Sequence, residues 1–174
     1  MVAILYRMAA GIPGDVNRAQ HHTVEAQLIQ PSGSTGHPTA YGIPVVLDGT
    51  SHAVRAVVAG DIAGGLTGPV VYGLLVRPYP AVASQDVVGT STPPLNGPCD
   101  VLRRGYMAVT LSGGNAAVKG GQVYIWGNTA TGSHIQGGFE ASSPATGNGF
   151  ALSGATFMGP ADANGITEIS FHIA

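Results

Sequence analysis

The chain has 174 residues, 27 of them glycine, and only 9% are charged, for a formal net charge of −2. Average soluble domains carry roughly 25% charged residues, and seven scattered Lys and Arg supply no basic face for nucleic acid. Cys99 stands alone, which excludes an intramolecular disulfide and any multi-cysteine metal site. The length fits one domain, and no run approaches the roughly 20 apolar residues of a membrane helix.

Residues 1–20 are expected to form an extended arm. Met1-Val2-Ala3-Ile4-Leu5-Tyr6 is too short for a secretory leader and is interrupted by Arg7, so a soluble protein made in a cytoplasm is expected. Gly11-Ile12-Pro13-Gly14-Asp15-Val16-Asn17-Arg18 is turn-rich, and its Gly and Pro residues disfavour both helix and central strand. Ile4, Leu5, Tyr6, Met8 and Ile12 are nevertheless too apolar for a solvated tail. Burying each is worth roughly 1.5–3 kcal/mol before ordering costs, enough for an arm that docks on a partner.

From residue 21 to 174 the chain reads as a single β-domain. Thr23-Val24-Glu25-Ala26-Gln27-Leu28 alternates like a strand. Ile43–Leu47 ends at Asp48-Gly49, and Ala53–Val58 ends at Ala59-Gly60-Asp61. Val70–Arg77 is almost wholly apolar and so covered on both faces. Residues 78–100 hold five prolines and read as a stiff loop, an excursion usually tied to function when it is this long. Further strands follow at Tyr106–Leu111, Gln122–Trp126, Ser133–Glu140, Phe150–Phe157 and Ile166–Ile173, where Ile169, Phe171 and Ile173 face one way. Short strands, Gly-rich turns and almost no helix predict an all-β fold, a β-sandwich or barrel.

No catalytic or metal constellation emerges. His21, His22 and Glu25 form the one group with metal-like content, but adjacent histidines on a strand face opposite ways, and zinc needs three or four ligands. Asp15, Asp48, Asp61 and Asp162 sit beside turn glycines or in other turn-forming sequence, where turn chemistry accounts for them without a carboxylate pair. Leu152-Ser153-Gly154-Ala155 lacks a nucleophile elbow. Lys119-Gly120-Gly121 opens a strand, whereas phosphate loops open a helix. Tyr124 and Trp126 face one side of a strand, as core, oligomer interface or sugar platform. No enzyme activity and no cofactor are expected.

Several motifs, in order along nearly the whole chain, resemble the tailed-phage capsid cement (decoration) protein family. They are Ile12-Pro13-Gly14-Asp15-Val16, Tyr41-Gly42-Ile43-Pro44-Val45, Leu74–Pro80, Leu102-Arg103-Arg104-Gly105-Tyr106, Gly120–Tyr124 and Gly165–Phe171. The resemblance implies a jelly-roll-like β-sandwich that homo-oligomerises on the outer surface of a bacteriophage capsid. There it would bind the major capsid protein and cement capsomers against internal DNA pressure. A charge-poor surface fits a chain covered by other chains, and a dimer is expected over a trimer, two-fold closure being commonest. The alternative is a receptor- or carbohydrate-binding β-module of a phage tail or fibre. Candidate interface residues are Ile4, Leu5, Tyr6, Met8, Ile12, Pro13, Asp15, Arg18, Arg103 and Arg104. A strand starting at the arginine pair points one of them towards the core, where it needs a carboxylate, and leaves the other for the shell.

Overall fold

A computed structural model gives the structure, which describes residues 11–18, 20–62, 69–78 and 92–173. Ile4, Leu5, Tyr6 and Met8 of the expected arm, and residues 79–91 of the proline-rich segment, lie outside the described residues. Among the described residues ten strands run in chain order: β1 (Val16–Asn17), β2 (Thr23–Ile29), β3 (Pro44–Leu47), β4 (Val54–Ala56), β5 (Gly73–Leu75), β6 (Gly97–Ser112), β7 (Gln122–Trp126), β8 (Gly138–Glu140), β9 (Gly149–Phe157) and β10 (Ile166–His172). Among the described residues the sole helical piece is a 3-10 turn at Ala59–Ile62. The fold is all-β with a barrel-like core, consistent with the sandwich expected from the strand pattern.

The organising element is β6, whose 16 residues extend on the order of 50 Å. Arg104 pairs with Thr23 of β2 and with His172 of β10, so these strands lie on opposite edges of β6. Leu102 likewise lies between Val24 of β2 and Leu74 of β5. The order β6-β2-β4-β3-β5 returns to β6 along its first half, and β6-β10-β9-β7-β8 returns to it along its second. Two closed five-strand rings therefore share one strand. Closure satisfies backbone groups that an open sheet would expose.

Side-chain alternation divides the core between the rings. Val45, Leu75, Cys99 and Val101 point into the N-terminal ring with Ile29, Tyr41 and Val54. Their neighbours Val46, Leu74 and Leu102 face the other way and join the larger core with Met107, Ile125, Phe139, Phe157 and Ile169 of the C-terminal ring. The N-terminal ring is thus buried inside and on the side that meets its companion. This accounts for the apolar run around β5, whose three residues are all buried.

The proline-rich segment is shorter at its far end than the sequence suggests. β6 begins at Gly97, with Pro98 opposite Leu28. Proline is tolerated near the start of a strand, and Asp100, Arg103 and Arg104 occupy positions that are not fully buried, so polar residues hid the first half of this strand. In place of a strand from Ser133, an isolated bridge joins Thr131 to His134, and β8 covers Gly138–Glu140.

Candidate interaction surface

Residues 11–18, grouped by sequence with the arm, pack along β6. Val16 pairs with Met107 and Asn17 with Tyr106. Gly14 N–H donates to the Ala108 carbonyl at 2.9 Å, and Ala108 N–H donates to the Asp15 carbonyl at 3.0 Å. Asp15 also closes its own turn, its carboxylate accepting from Ile12 N–H at 3.3 Å. Pro13-Gly14 crosses Tyr41-Gly42 so closely that a Cβ on Gly42, at φ +70°, would stand 2.5 Å from the Gly14 nitrogen. Arg77 fastens the crossing: its side chain donates to the Pro13 carbonyl and lies 4.8 Å from the Tyr41 ring centre. Ile12, Pro13 and Asp15 are half-buried by this docking.

Arg18 follows at φ +60°. Its guanidinium sits 4.1 Å from the centre of the Tyr106 ring and bonds Glu168 at 2.8 Å. With nearly half of the side chain exposed, such a pair contributes at most about 1 kcal/mol.

The arginine pair lies in the middle of β6, where the register shifts opposite Thr23 and Val24. Arg104 pairs with Thr23 and Leu102 with Val24, leaving Arg103 as the extra residue of a bulge, a device that re-aims side chains. Arg103 turns towards the N-terminal ring. It donates to the Tyr72 carbonyl, stacks 3.8 Å from the centre of that ring, and stands 3.5 Å from the Glu25 carboxylate. Tyr72 in turn donates to Glu25 at 2.6 Å and accepts from Gln27 at 2.8 Å. The bond to Glu25, aided by burial, holds the Tyr72 phenol above its usual range. Arg104 is exposed.

Arg104 borders a cleft of 460 Å³ that also takes in His21, Tyr106, Ser170, His172 and Ile173. Nothing in the sequence brings His21 and His172 together. They meet because β2 and β10 flank the same residue of β6. Gly105 lets the histidine turn close in, for a Cβ there would stand 2.9 Å from that of His22.

Tyr124 and Trp126 do not form an open platform. Trp126 is 6% exposed, donates to the Thr129 carbonyl and stacks on His134 at 4.1 Å. His134 bonds Glu140, which is 1% exposed, at 2.6 Å. Among the described residues, no three of His, Cys, Asp and Glu gather in a way that could hold a metal ion.

Large apolar side chains remain on the surface: Val70 is 87% exposed, Leu95 71%, Val118 64% and Leu28 63%. No curated protein sequence matches the chain. A solved structure of the capsid of Myoviridae phage XM1 contains a chain that superposes with a TM-score of 0.66 at 21% identity, over 98% of this chain and 95% of that one. At this identity the likeness speaks for the fold alone. The family model described as XM1 gp53 minor capsid protein matches residues 1–171. The chain therefore belongs to the XM1 gp53 minor capsid protein family, and it is a structural protein of the bacteriophage virion.

Proposed function

We propose that this protein is a cement protein, without enzymatic activity, that binds the outer surface of a phage shell as a homo-oligomer and ties neighbouring capsomers together. The observation that carries the reading is the surface itself. Large apolar side chains stand in solvent on both rings, Val70 and Leu28 on one and Val118 on the other. Meanwhile Arg18, Arg55 and Arg103 are engaged in ion pairs within the chain. A monomer keeps itself soluble with free, mixed charge, and exposed apolar groups on a charge-poor surface favour cover by other chains.

In this reading the major capsid protein is the main partner, and a two-fold copy of the chain covers part of the remaining apolar surface. The segment before Gly11, with Ile4, Leu5, Tyr6 and Met8, crosses to a neighbour. The docked turn at Ile12–Asp15 fixes the place from which it departs, because Gly14 and Asp15 are bonded to β6. Ten extended residues reach about 33 Å, far enough to leave one domain and engage the next.

Shells stripped of the protein, mixed with the purified full-length chain and sedimented, test this directly. Co-sedimentation at a fixed stoichiometry, with a rise in the temperature at which the shell opens, is expected. Removing residues 1–10 should leave the circular dichroism unchanged, weaken decoration at least ten-fold and abolish most of that rise. A full-length chain that stays in the supernatant would end the cement reading, and a truncated chain that decorates normally would remove the arm from it.

A further inference from the structure

We propose that the cleft around Arg104 is a carboxylate-binding site that takes an acidic segment of the shell protein; the identity of that partner rests on the cement reading, the chemistry of the site does not. Arg18 and Arg55 bond carboxylates, Arg103 is held by Glu25 and Tyr72, and Arg77 by Pro13 and Tyr41. Arg104 alone among the described arginines has no carboxylate, carbonyl or aromatic partner among the described residues, and it is exposed. A guanidinium offers five N–H donors in a planar fork that matches a carboxylate with two parallel bonds.

The surroundings suit an anion. His172 is the cross-strand neighbour of Arg104 on β10, and His21 reaches the cleft from the turn before β2. Ser170 and Tyr106 line it too, and His22 approaches against the face of Gly105. Of the carboxylates on the flanking strands, Glu25 of β2 is held by Arg103 and Tyr72, and Glu168 of β10 is engaged by Arg18. β9, packed on β10, has no titratable side chain in its nine residues. One fixed positive charge, Arg104, therefore shares the cleft with the imidazoles of His21 and His172, and no carboxylate lines it.

The cleft lies beside the bulge of β6, so a partner side chain seated there touches β6, β10 and the turn before β2 together. The apolar Ile173 at its rim gives the stem of a glutamate a surface to lie on. Nucleic acid is the competing anion, but a net charge of −2 offers no extended basic track for a phosphate backbone.

The test uses the free full-length chain and hexaglutamate at low salt, followed by the imidazole NMR signals of His21 and His172. Both signals should move as hexaglutamate is added, and 0.3 M NaCl should weaken the affinity several-fold. Arg104→Ala should weaken binding ten-fold or more, with Arg104→Lys recovering part and Trp126 fluorescence unchanged in both. On stripped shells the same variant should lose at least ten-fold in decoration. Unmoved imidazole signals, an Arg104→Ala variant that binds hexaglutamate like the natural chain, or tighter binding of a single-stranded DNA hexamer in the cleft would each overturn the proposal. If hexaglutamate binds as expected but the chain ignores shells, the site stands and the cement reading falls. If shells are decorated equally by the natural chain and Arg104→Ala, the cement reading stands and the assignment of this cleft to the shell falls.

Discussion

The two rings share a strand yet are held together by different chemistry. The C-terminal ring buries Trp126 and all four phenylalanines, Phe139, Phe150, Phe157 and Phe171. The interior of the N-terminal ring holds aliphatic residues, Cys99 and one aromatic, Tyr41. Its rim instead carries Arg55 with Asp61 and Asp48, and Arg103 with Glu25 and Tyr72. Aromatic rings bury 150–250 Å² each and act without direction, whereas charge pairs fix geometry more than they add stability. Stability is therefore concentrated in the C-terminal ring and orientation of surface groups in the N-terminal ring, with β6 coupling the two.

The sharpest way to break that picture is Phe139→Ala. Phe139 is 1% exposed and stands opposite Leu111 of β6 and Ile125 of β7. A cavity of that size costs about 3–5 kcal/mol, visible as a lower urea midpoint. Because β6 belongs to both rings, the loss should appear as one transition, with Trp126 fluorescence and far-ultraviolet circular dichroism coincident. Two separated transitions would mean that the rings fold independently.

Next in size is His134→Ala. It removes the hydrogen-bond partner of Glu140, leaving a carboxylate that is 1% exposed without it, and unstacks Trp126. Leaving the buried carboxylate without this hydrogen bond costs about 1–3 kcal/mol. The double variant with Glu140→Leu should recover part of that loss, since an apolar group needs no partner there. If His134→Ala unfolds at the same urea concentration as the natural chain, the C-terminal ring does not depend on its one buried carboxylate.

How much of this was legible beforehand differs between the rings in the same way. Gln122–Trp126 and Ile166–His172 were readable because apolar alternation and flanking glycines agree there, and Ile169 and Phe171 are buried as the pattern requires. The first half of β6 was not, because Pro98, Asp100 and the arginine pair look like loop residues until their outward positions are known. Arg103 and Arg104 were readable as a divided pair, one with a carboxylate and one without, although the strand starts earlier than at Arg103 and a bulge divides them. The cleft was beyond sequence reasoning, since joining His21 to His172 needs the register of two strands on opposite edges of a third. Trp126 read as a possible platform because parity reports a face, not what covers it.

Asp61 gives a smaller effect that sharpens the contrast through pH. Burial alone would raise its carboxyl, but two bonds from Arg55, each 2.7 Å, and the Val58 N–H outweigh it and hold the group below the usual carboxylate range. A group lowered on folding stabilises above its unfolded value, about 3.9, and that contribution disappears as the pH falls through the lower folded value. Asp61→Asn should therefore cost on the order of 1–2 kcal/mol at pH 6, and the gap to the natural chain should close as the pH drops from 4 to 2.5. A gap that is constant over this range would show that the Arg55 pair contributes nothing through charge.

The smallest effect is chemical rather than energetic, and it asks whether the N-terminal ring opens by itself. Cys99 lies in that ring's core, 9% exposed, and burial, with the charge of Asp100, pushes its thiol up to about 11. At pH 8 only about one thiol in a thousand is then ionised while the ring is closed, and the thiolate is the reactive form. Iodoacetamide should therefore modify the native chain slowly, at a rate set by openings that bring Cys99 to solvent. If the rings open only together, that rate should rise as global stability falls, so Phe139→Ala, on the far ring, should accelerate labelling by the factor its urea midpoint implies. If the N-terminal ring opens alone, Phe139→Ala should leave labelling unchanged and Leu75→Ala, beside Cys99 in the smaller core, should speed it. Mass spectrometry of the intact chain over a labelling time course separates the two, because a single cysteine gives a single mass step.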